Sequence, residues 1–201
     1  MAEKHHHIVY RHLCEVFGTY SGNLLGKTFA NSSKLLLDAS FWVYDHDPKN
    51  TICNFVRKEK AKSDCYQIIN NNTNADEGIY VVCFDGCLFS GKVGQRGDNL
   101  LFNSTHFFFV EAKVNIENAK SLDVHLTKAK EQLKTQLDTI QNGLLEYGYG
   151  MKGLQKVAIV VMPGSIRPNT LIKGKIKNWA KDLGVTKVEL VQGSLDLAKF
   201  T

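Results

Sequence analysis

The sequence lacks several features that define other protein classes. No apolar run approaches the roughly eighteen residues that a membrane-spanning helix needs, and the N-terminus has no apolar segment typical of a secretion signal. There is also no internal repeat and no low-complexity linker. We therefore expect no membrane partner, and a single domain over residues 1–201 with a substantial core.

Cysteine pairing motifs are absent as well. The five cysteines include no CxxC pair and none has a histidine at zinc-finger spacing. Cys83 and Cys87 lie in what the pattern predicts to be one strand, where their Cα atoms would be about 13 Å apart, too far for a disulfide. We therefore expect reduced thiols and a cytoplasmic location.

Strong charge of one sign is absent too. The net charge is +5, with 25 basic and 20 acidic residues, and no block of five like charges occurs. This balance favours an anionic partner such as nucleic acid only weakly.

Hydrophobic periodicity predicts the main elements. A short helix is expected over residues 8–17, and residues 31–44 indicate a second helix or turn leading to an extended piece, whereas the polar residues 45–74 remain unassigned. The predicted elements after residue 79 are strands in "IYVVCF", "DNLLF" and "HFFFVEAKV", a long amphipathic helix over 118–145, the strand "KVAIVVM", a helix over 169–183 and the strand "KVELVQ". We expect an α/β fold with a mixed central β-sheet flanked by helices on both faces.

Charged residues follow the most apolar of these strands. "HFFFV" is followed directly by Glu111 and Lys113, and a short turn precedes it. If the hairpin turns at Asn103 and Ser104, or across Asn103 to His106, then Asp98 lies diagonal to or directly opposite Glu111. Either register places all three ionisable groups on one face of the sheet, because side chains alternate with period two.

Two neighbouring carboxylates favour a bound cation. Without one, their mutual repulsion would raise the pKa of one of them. Hard oxygen ligands select Mg²⁺ or Mn²⁺, which can polarise a phosphoryl oxygen and lower the pKa of a bound water. A lysine beside the metal could orient or deprotonate that water. The chemistry predicted is phosphodiester hydrolysis.

This arrangement resembles the PD-(D/E)xK nuclease superfamily, whose members have restriction-endonuclease-like or Holliday-junction-resolvase-like cores. The resemblance implies a restriction-endonuclease-like αβββαβ core at about residues 79–161, with an N-terminal helical region and a C-terminal αβ extension. It implies a Mg²⁺-dependent or Mn²⁺-dependent nuclease that hydrolyses DNA in preference to RNA, and it leaves a homodimer open as the assembly.

The resemblance also implies roles for single residues. Asp98 and Glu111 would bind the metal, helped by the backbone carbonyl of Ala112, and Lys113 would be the catalytic lysine. Gln132, on the helix after the motif, would complete the catalytic group.

Three further assignments are open. Glu15 on the first helix is a candidate metal ligand, and Asp85 in "CFDG" is the alternative to Asp98 as the motif aspartate. Lys92 and Arg96 precede Asp98 in a loop and are expected to steer a nucleic-acid backbone.

A different class of function remains open beside the nuclease. The chain is alternatively a catalytically inactive, nuclease-like module that binds nucleic acid or a protein partner, including one within a restriction or phage-defence system.

Overall fold

A computed structural model describes most of the chain. The described residues are 5–18, 28–44, 56–60, 65–70, 78–85, 88–89, 96–114, 116, 121–151 and 153–200. Within these ranges there are three α-helices: α1 (His5–Gly18), α2 (Leu122–Glu146) and α3 (Thr170–Leu183). The strands are β1 (Ser33–Leu36), β2 (Ser40–Tyr44), β3 (Val56–Arg57), β4 (Cys65–Ile69), β5 (Ile79–Cys83), β6 (Asn99–Phe102), β7 (His106–Ala112), β8 (Gln155–Met162), β9 (Lys187–Gln192) and β10 (Ser194–Asp196).

The larger sheet is mixed, as expected. Its six strands lie in the order β1-β5-β6-β7-β8-β9. The first four pair antiparallel, and β7, β8 and β9 pair parallel. Both β5 and β7 are buried along their whole length, which explains why neither shows polar alternation. The fold is therefore α/β with mixed strand directions.

Helices cover one face of this sheet. A single apolar cluster joins α1, α2 and α3 to the sheet through residues such as Leu13, Leu133 and Trp179 on the helices and Phe107 and Phe109 on β7. All seven predicted apolar positions of α2 are buried: Leu122, Leu126, Ala129, Leu133, Leu137, Ile140 and Leu144. No described helix, α2 included, is both long and apolar enough to cross a membrane.

A second sheet covers the opposite face, so the prediction of helices on both faces is wrong. Four strands in the order β10-β4-β2-β3 pack there against residues such as Phe108 and Val110 of β7. An unbroken apolar strand shows that both of its faces are covered, but it does not show whether a helix or a sheet covers them. This is the physical reason for the error.

The second sheet is built largely from the N-terminal third of the chain. A 3-10 turn at Ala30–Ser32 leads into β1, an edge strand of the larger sheet, and then into β2 of the second sheet. A second α-helix therefore does not form among the described residues of this region. In β2 and β4 alternate residues are buried, as a strand with one covered face requires. The unassigned polar stretch thus supplies β3 and β4.

Cys83 differs from the sequence expectation, because it is disulfide-bonded and not reduced. Strand β5 ends at Cys83 and the chain turns there, with Leu88 N–H donating to the Cys83 carbonyl at 3.3 Å. The extended spacing on which a disulfide was excluded therefore does not hold. Cys14 and Cys65 form no disulfide bond, and the partner of Cys83 lies outside the described residues.

Gly193 connects the two sheets. Its φ of 70° is left-handed, which glycine adopts without a steric penalty, and it separates β9 from β10. Its N–H donates to Met162 at 2.8 Å in the larger sheet, and its carbonyl accepts from Gln67 N–H at 3.2 Å in the smaller one. One continuous segment thus contributes a strand to each sheet.

Candidate functional site

The β6–β7 hairpin adopts one of the two predicted registers. Asn99 pairs with Val110 and Phe102 with Phe107. The turn runs from Asn103 to His106: Asn103 N–H donates to the His106 carbonyl at 3.1 Å, and its side-chain Oδ1 accepts from His106 N–H at 2.8 Å. Continued by one position, this register places Asp98 directly opposite Glu111, where Cα atoms lie about 4.5–5.5 Å apart.

Asp98 and Glu111 share the helix-covered face of the sheet. Leu100 and Phe102 on β6 face the helices, as do Phe107 and Phe109 on β7. Since side chains alternate, Asp98 and Glu111 belong to the same face. The antiparallel ladder still holds at Asp98, whose carbonyl accepts from Phe84 N–H at 2.8 Å. The structure therefore brings the two predicted carboxylates together.

Each carboxylate is bonded within the chain. Asp98 Oδ2 accepts a hydrogen bond from the backbone N–H of Ala112 at 2.6 Å. Glu111, only 1% exposed, forms an ion pair through Oε1 with Lys113 Nζ, and the Lys113 side chain is 17% exposed. The buried carboxylate thus has a cation beside it, and that cation retains access to solvent.

Gln132 connects this group to helix α2. Its Oε1 accepts from Lys113 Nζ at 2.7 Å, and its Nε2 donates to the Arg96 carbonyl at 3.2 Å. Its backbone carbonyl accepts from Gly97 N–H at 3.1 Å. Gln132, which the resemblance assigns to the catalytic group, therefore bonds both Lys113 and the segment before Asp98.

Glu15 does not join this group. On α1, Glu15 Oε2 accepts a hydrogen bond from Tyr149 Oη at 2.6 Å, just beyond the end of α2. The helix between Gln132 and Glu146 is about 21 Å long at 1.5 Å per residue. The sequence expectation of Glu15 as a metal ligand is therefore not met, because Glu15 is held at the far end of α2.

Asp85 lies one strand further from Glu111 than Asp98 does. It follows the end of β5 and forms an isolated bridge with Phe89. Strand β6 separates β5 from β7, so Asp85 is about two strand spacings, or roughly 10 Å, from β7, whereas Asp98 is one spacing away. This geometry favours Asp98 over Asp85 as the partner of Glu111.

Arg96 is buried, which does not fit the expected role of steering nucleic acid. The residue is 8% exposed, and its guanidinium carbon lies 4.4 Å from the ring centroid of Phe89. Such a cation–π contact replaces hydration of the guanidinium and keeps it inside the protein. Lys92, for which the same role was expected, lies outside the described residues.

Sequence reasoning missed Gln136. This residue of α2 is fully buried, and its Nε2 donates to the Asn99 carbonyl at 3.0 Å. Gln132 and Gln136 are four positions apart and so lie on the same face of the helix. Two glutamines at this spacing on the buried side of an amphipathic helix are the signal that could have identified it.

Metal-binding side chains do not form a larger group here. Among the described residues, no three or more His, Cys, Asp or Glu side chains are arranged to hold a metal ion. Asp98 and Glu111 are therefore not joined by a third such side chain among the residues that the structure describes.

Comparison with protein-family models, with curated proteins and with solved structures finds no match to this chain.

Proposed function

We propose that this protein is a metal-dependent nuclease of the PD-(D/E)xK type that hydrolyses phosphodiester bonds in DNA. The observation that carries the proposal is the register of the hairpin, because it places Asp98 opposite Glu111 with Lys113 on the same side. The elements α1, β5, β6, β7, α2 and β8 follow one another in this order once β1–β4, which lie between α1 and β5, are set aside, and the four strands are adjacent in the sheet. This supports a restriction-endonuclease-like αβββαβ core.

The donor set suits Mg²⁺ or Mn²⁺. Asp98, just before β6, and Glu111 on β7 would supply two hard carboxylate oxygens, and the carbonyl of Ala112 would supply a third oxygen. A divalent ion bound there would polarise the phosphodiester and lower the pKa of a bound water. The low exposure of Glu111 would keep bulk water from competing with the substrate.

Lys113 would act on the substrate directly. Its ammonium is held between Glu111 and Gln132 yet remains partly exposed, so it can donate to a phosphate oxygen or orient the attacking water. Gln132 would fix the direction of the ammonium, because its amide is itself bonded to the Arg96 carbonyl. Lys113 is therefore the catalytic residue whose removal should affect the rate most.

DNA is the proposed substrate class, and a homodimer the proposed assembly. The net charge of +5 supports an anionic partner. Four lysines of α3 are exposed and offer phosphate contacts in place of the buried Arg96: Lys173, Lys175, Lys177 and Lys181.

Cleavage assays test the proposal. Supercoiled, linear, branched and single-stranded DNA, and RNA, would be incubated with the protein and Mg²⁺ or Mn²⁺. We expect metal-dependent cleavage of DNA that falls by at least about 100-fold in Lys113→Ala. Lys134→Ala is the matched control, because Lys134 is an exposed lysine of α2 that pairs with Asp138.

Equal inactivity of the wild type and Lys113→Ala on every substrate would remove the nuclease proposal. Calorimetric titration with Mg²⁺ then separates the remaining class of function. Absence of binding heat, together with intact nucleic-acid binding, would favour a module that keeps the fold without catalysis.

A further inference from the structure

Helix α2 bonds the backbone on both sides of Asp98. Gln132 uses its side-chain amide for the Arg96 carbonyl and its own carbonyl for Gly97 N–H. One turn further along, Gln136 donates to the Asn99 carbonyl at 3.0 Å. Three hydrogen bonds from one face of α2 therefore hold residues 96–99, the segment that carries Asp98.

Gln136 is an unusual residue for the interior of this helix. It is fully buried, and its Oε1 has no hydrogen-bond partner among the described residues. A buried amide with an unsatisfied oxygen costs free energy that an apolar side chain of similar size would not. Departures from such packing rules are expected mainly at functional or strained sites.

Gly97 lies against the side chain of Gln136. A Cβ added at Gly97 would collide with Gln136 Oε1, and it would lie 3.2 Å from the Val110 carbonyl oxygen. The absence of a side chain at position 97 is therefore what allows the amide of Gln136 to lie against the backbone immediately before Asp98.

We infer that Gln136 is a positioning residue, which together with Gly97 sets the position of the Asp98 carboxylate relative to β7. Gln136 bonds only the backbone next to Asp98, whereas Gln132 also bonds Lys113. The position of Asp98 is reported by its 2.6 Å bond to Ala112 N–H. Loss of the Gln136 amide should release residues 97–99 and lengthen that bond.

The role assigned to Gln136 deepens the proposed function. It rests on that function in one respect, which is that Asp98 is positioned in order to bind a metal. Two measurements separate the role of Gln136 from the proposed nuclease function. The amide proton shift of Ala112 in ¹H–¹⁵N spectra of the full chain reports the bond to Asp98 without any metal. The affinity for Mn²⁺ alone, measured by electron paramagnetic resonance, reports the carboxylates as ligands.

The variant is Gln136→Met, which keeps the volume and removes the amide. We expect the Ala112 amide proton to lose its downfield shift and Mn²⁺ to bind at least about tenfold more weakly, as for other groups that orient metal ligands. Gln141→Met, which changes the same residue type on the same helix away from the site, should change neither. An unchanged Ala112 shift in Gln136→Met would overturn the inference.

The outcomes for the two proposals differ. If the wild type binds no Mn²⁺, the metal-dependent nuclease fails, and the Ala112 shift alone decides the role of Gln136. If Mn²⁺ binds and its affinity is the same in Gln136→Met, the role of Gln136 fails while the nuclease stands.

A second pair of variants covers the case in which Gln136→Met does not fold. Gly97→Ala should lower the urea midpoint of unfolding through its collision with Gln136. In a Gln136→Ala background the same change at Gly97 should lower the midpoint much less, because the colliding atom is gone. Equal decreases in the two backgrounds would contradict the coupling.

Discussion

Lys113 donates a hydrogen bond from Nζ to Oε1 of Gln132 over 2.7 Å, which joins the end of β7 to the middle of α2. The same ammonium pairs with Glu111, a carboxylate that is only 1% exposed. One lysine therefore connects a buried strand residue to the helix that covers it. The stability of this contact and the proposed chemistry depend on the same side chain, so they can be tested with the same variants.

Removal of the Lys113 charge should destabilise the fold. We expect Lys113→Met to lower the free energy of unfolding by about 3 kcal/mol at neutral pH, because Glu111 would remain buried without its cation. The double variant Lys113→Met, Glu111→Met should recover most of this loss, since neither charge remains. Urea unfolding measures both variants.

The exposed pair of Lys134 with Asp138 is the control for this measurement. Lys134→Met should change the free energy of unfolding by less than about 0.5 kcal/mol, as is usual for exposed pairs on helices. Equal losses in Lys113→Met and in the double variant would show that the buried charge is not the cause.

Asp98 and Asp85 can be distinguished by metal affinity. Asp98→Asn should weaken Mn²⁺ binding by at least about tenfold, because an amide oxygen replaces a charged ligand. Asp85→Asn should leave the affinity within about twofold of the wild type, since β6 lies between Asp85 and Glu111. Calorimetric titration measures both, and the reverse order of effects would make Asp85 the motif aspartate.

Glu15→Gln should leave DNA cleavage unchanged. Its carboxylate is bonded to Tyr149 beyond the end of α2, about 21 Å along the helix from Gln132. Initial rates at saturating Mg²⁺, compared with those of Lys113→Ala, provide the measurement. A loss of activity comparable with that of Lys113→Ala would mean that Glu15 reaches the site.

His106 should make stability depend on pH. It is buried at the turn of the β6–β7 hairpin, and burial lowers its pKa below the usual value of about 6.5. As the pH falls, His106 therefore takes up a proton in the unfolded chain before it does so in the folded protein. The contribution of His106 to stability is complete above about pH 6.5 and decreases as the pH falls toward the lowered pKa of the folded state.

The expected result is a steeper loss of unfolding free energy between pH 7 and 5 in the wild type than in His106→Gln. Urea unfolding at several pH values measures the slope. The slope of the variant is compared with that of the wild type measured in the same buffers. Parallel slopes in the wild type and His106→Gln would remove His106 as the cause.

The sequence was sufficient to predict the elements that depend on local interactions. The α2 stripe and the β6–β7 hairpin are encoded by periodicity and by a short turn, so residue spacing could predict the helix and narrow the hairpin to two registers, one of which forms. The role expected of Gln132 came from the resemblance to nucleases with a glutamine on the helix after the motif. Its bond to the Arg96 carbonyl could not be predicted, because that contact joins distant parts of the chain.

The second sheet was missed because its pairing is almost entirely non-local. Its strands β2 and β4 do show alternate burial, at Phe41 and Val43 and at Tyr66 and Ile68, but they are short and are followed by polar segments. Their apolar residues alone could not indicate which face of the larger sheet they would cover. Arg96 was misjudged for a different reason: the polar stretch in which it lies does not indicate that the ring of Phe89 covers its guanidinium.

The link through Gly193 has a consequence for biosynthesis. β10 pairs with β4 across roughly 130 residues, so one edge of β4 stays unpaired until that length of chain has left the ribosome, whereas its other edge can pair with β2 earlier. Until then β4 presents an unpaired edge whose side chains include the apolar Tyr66 and Ile68. Docking of β10 on β4 should therefore follow the pairing of β4 with β2, and nascent chains that stop before Gly193 should be the species most prone to aggregate.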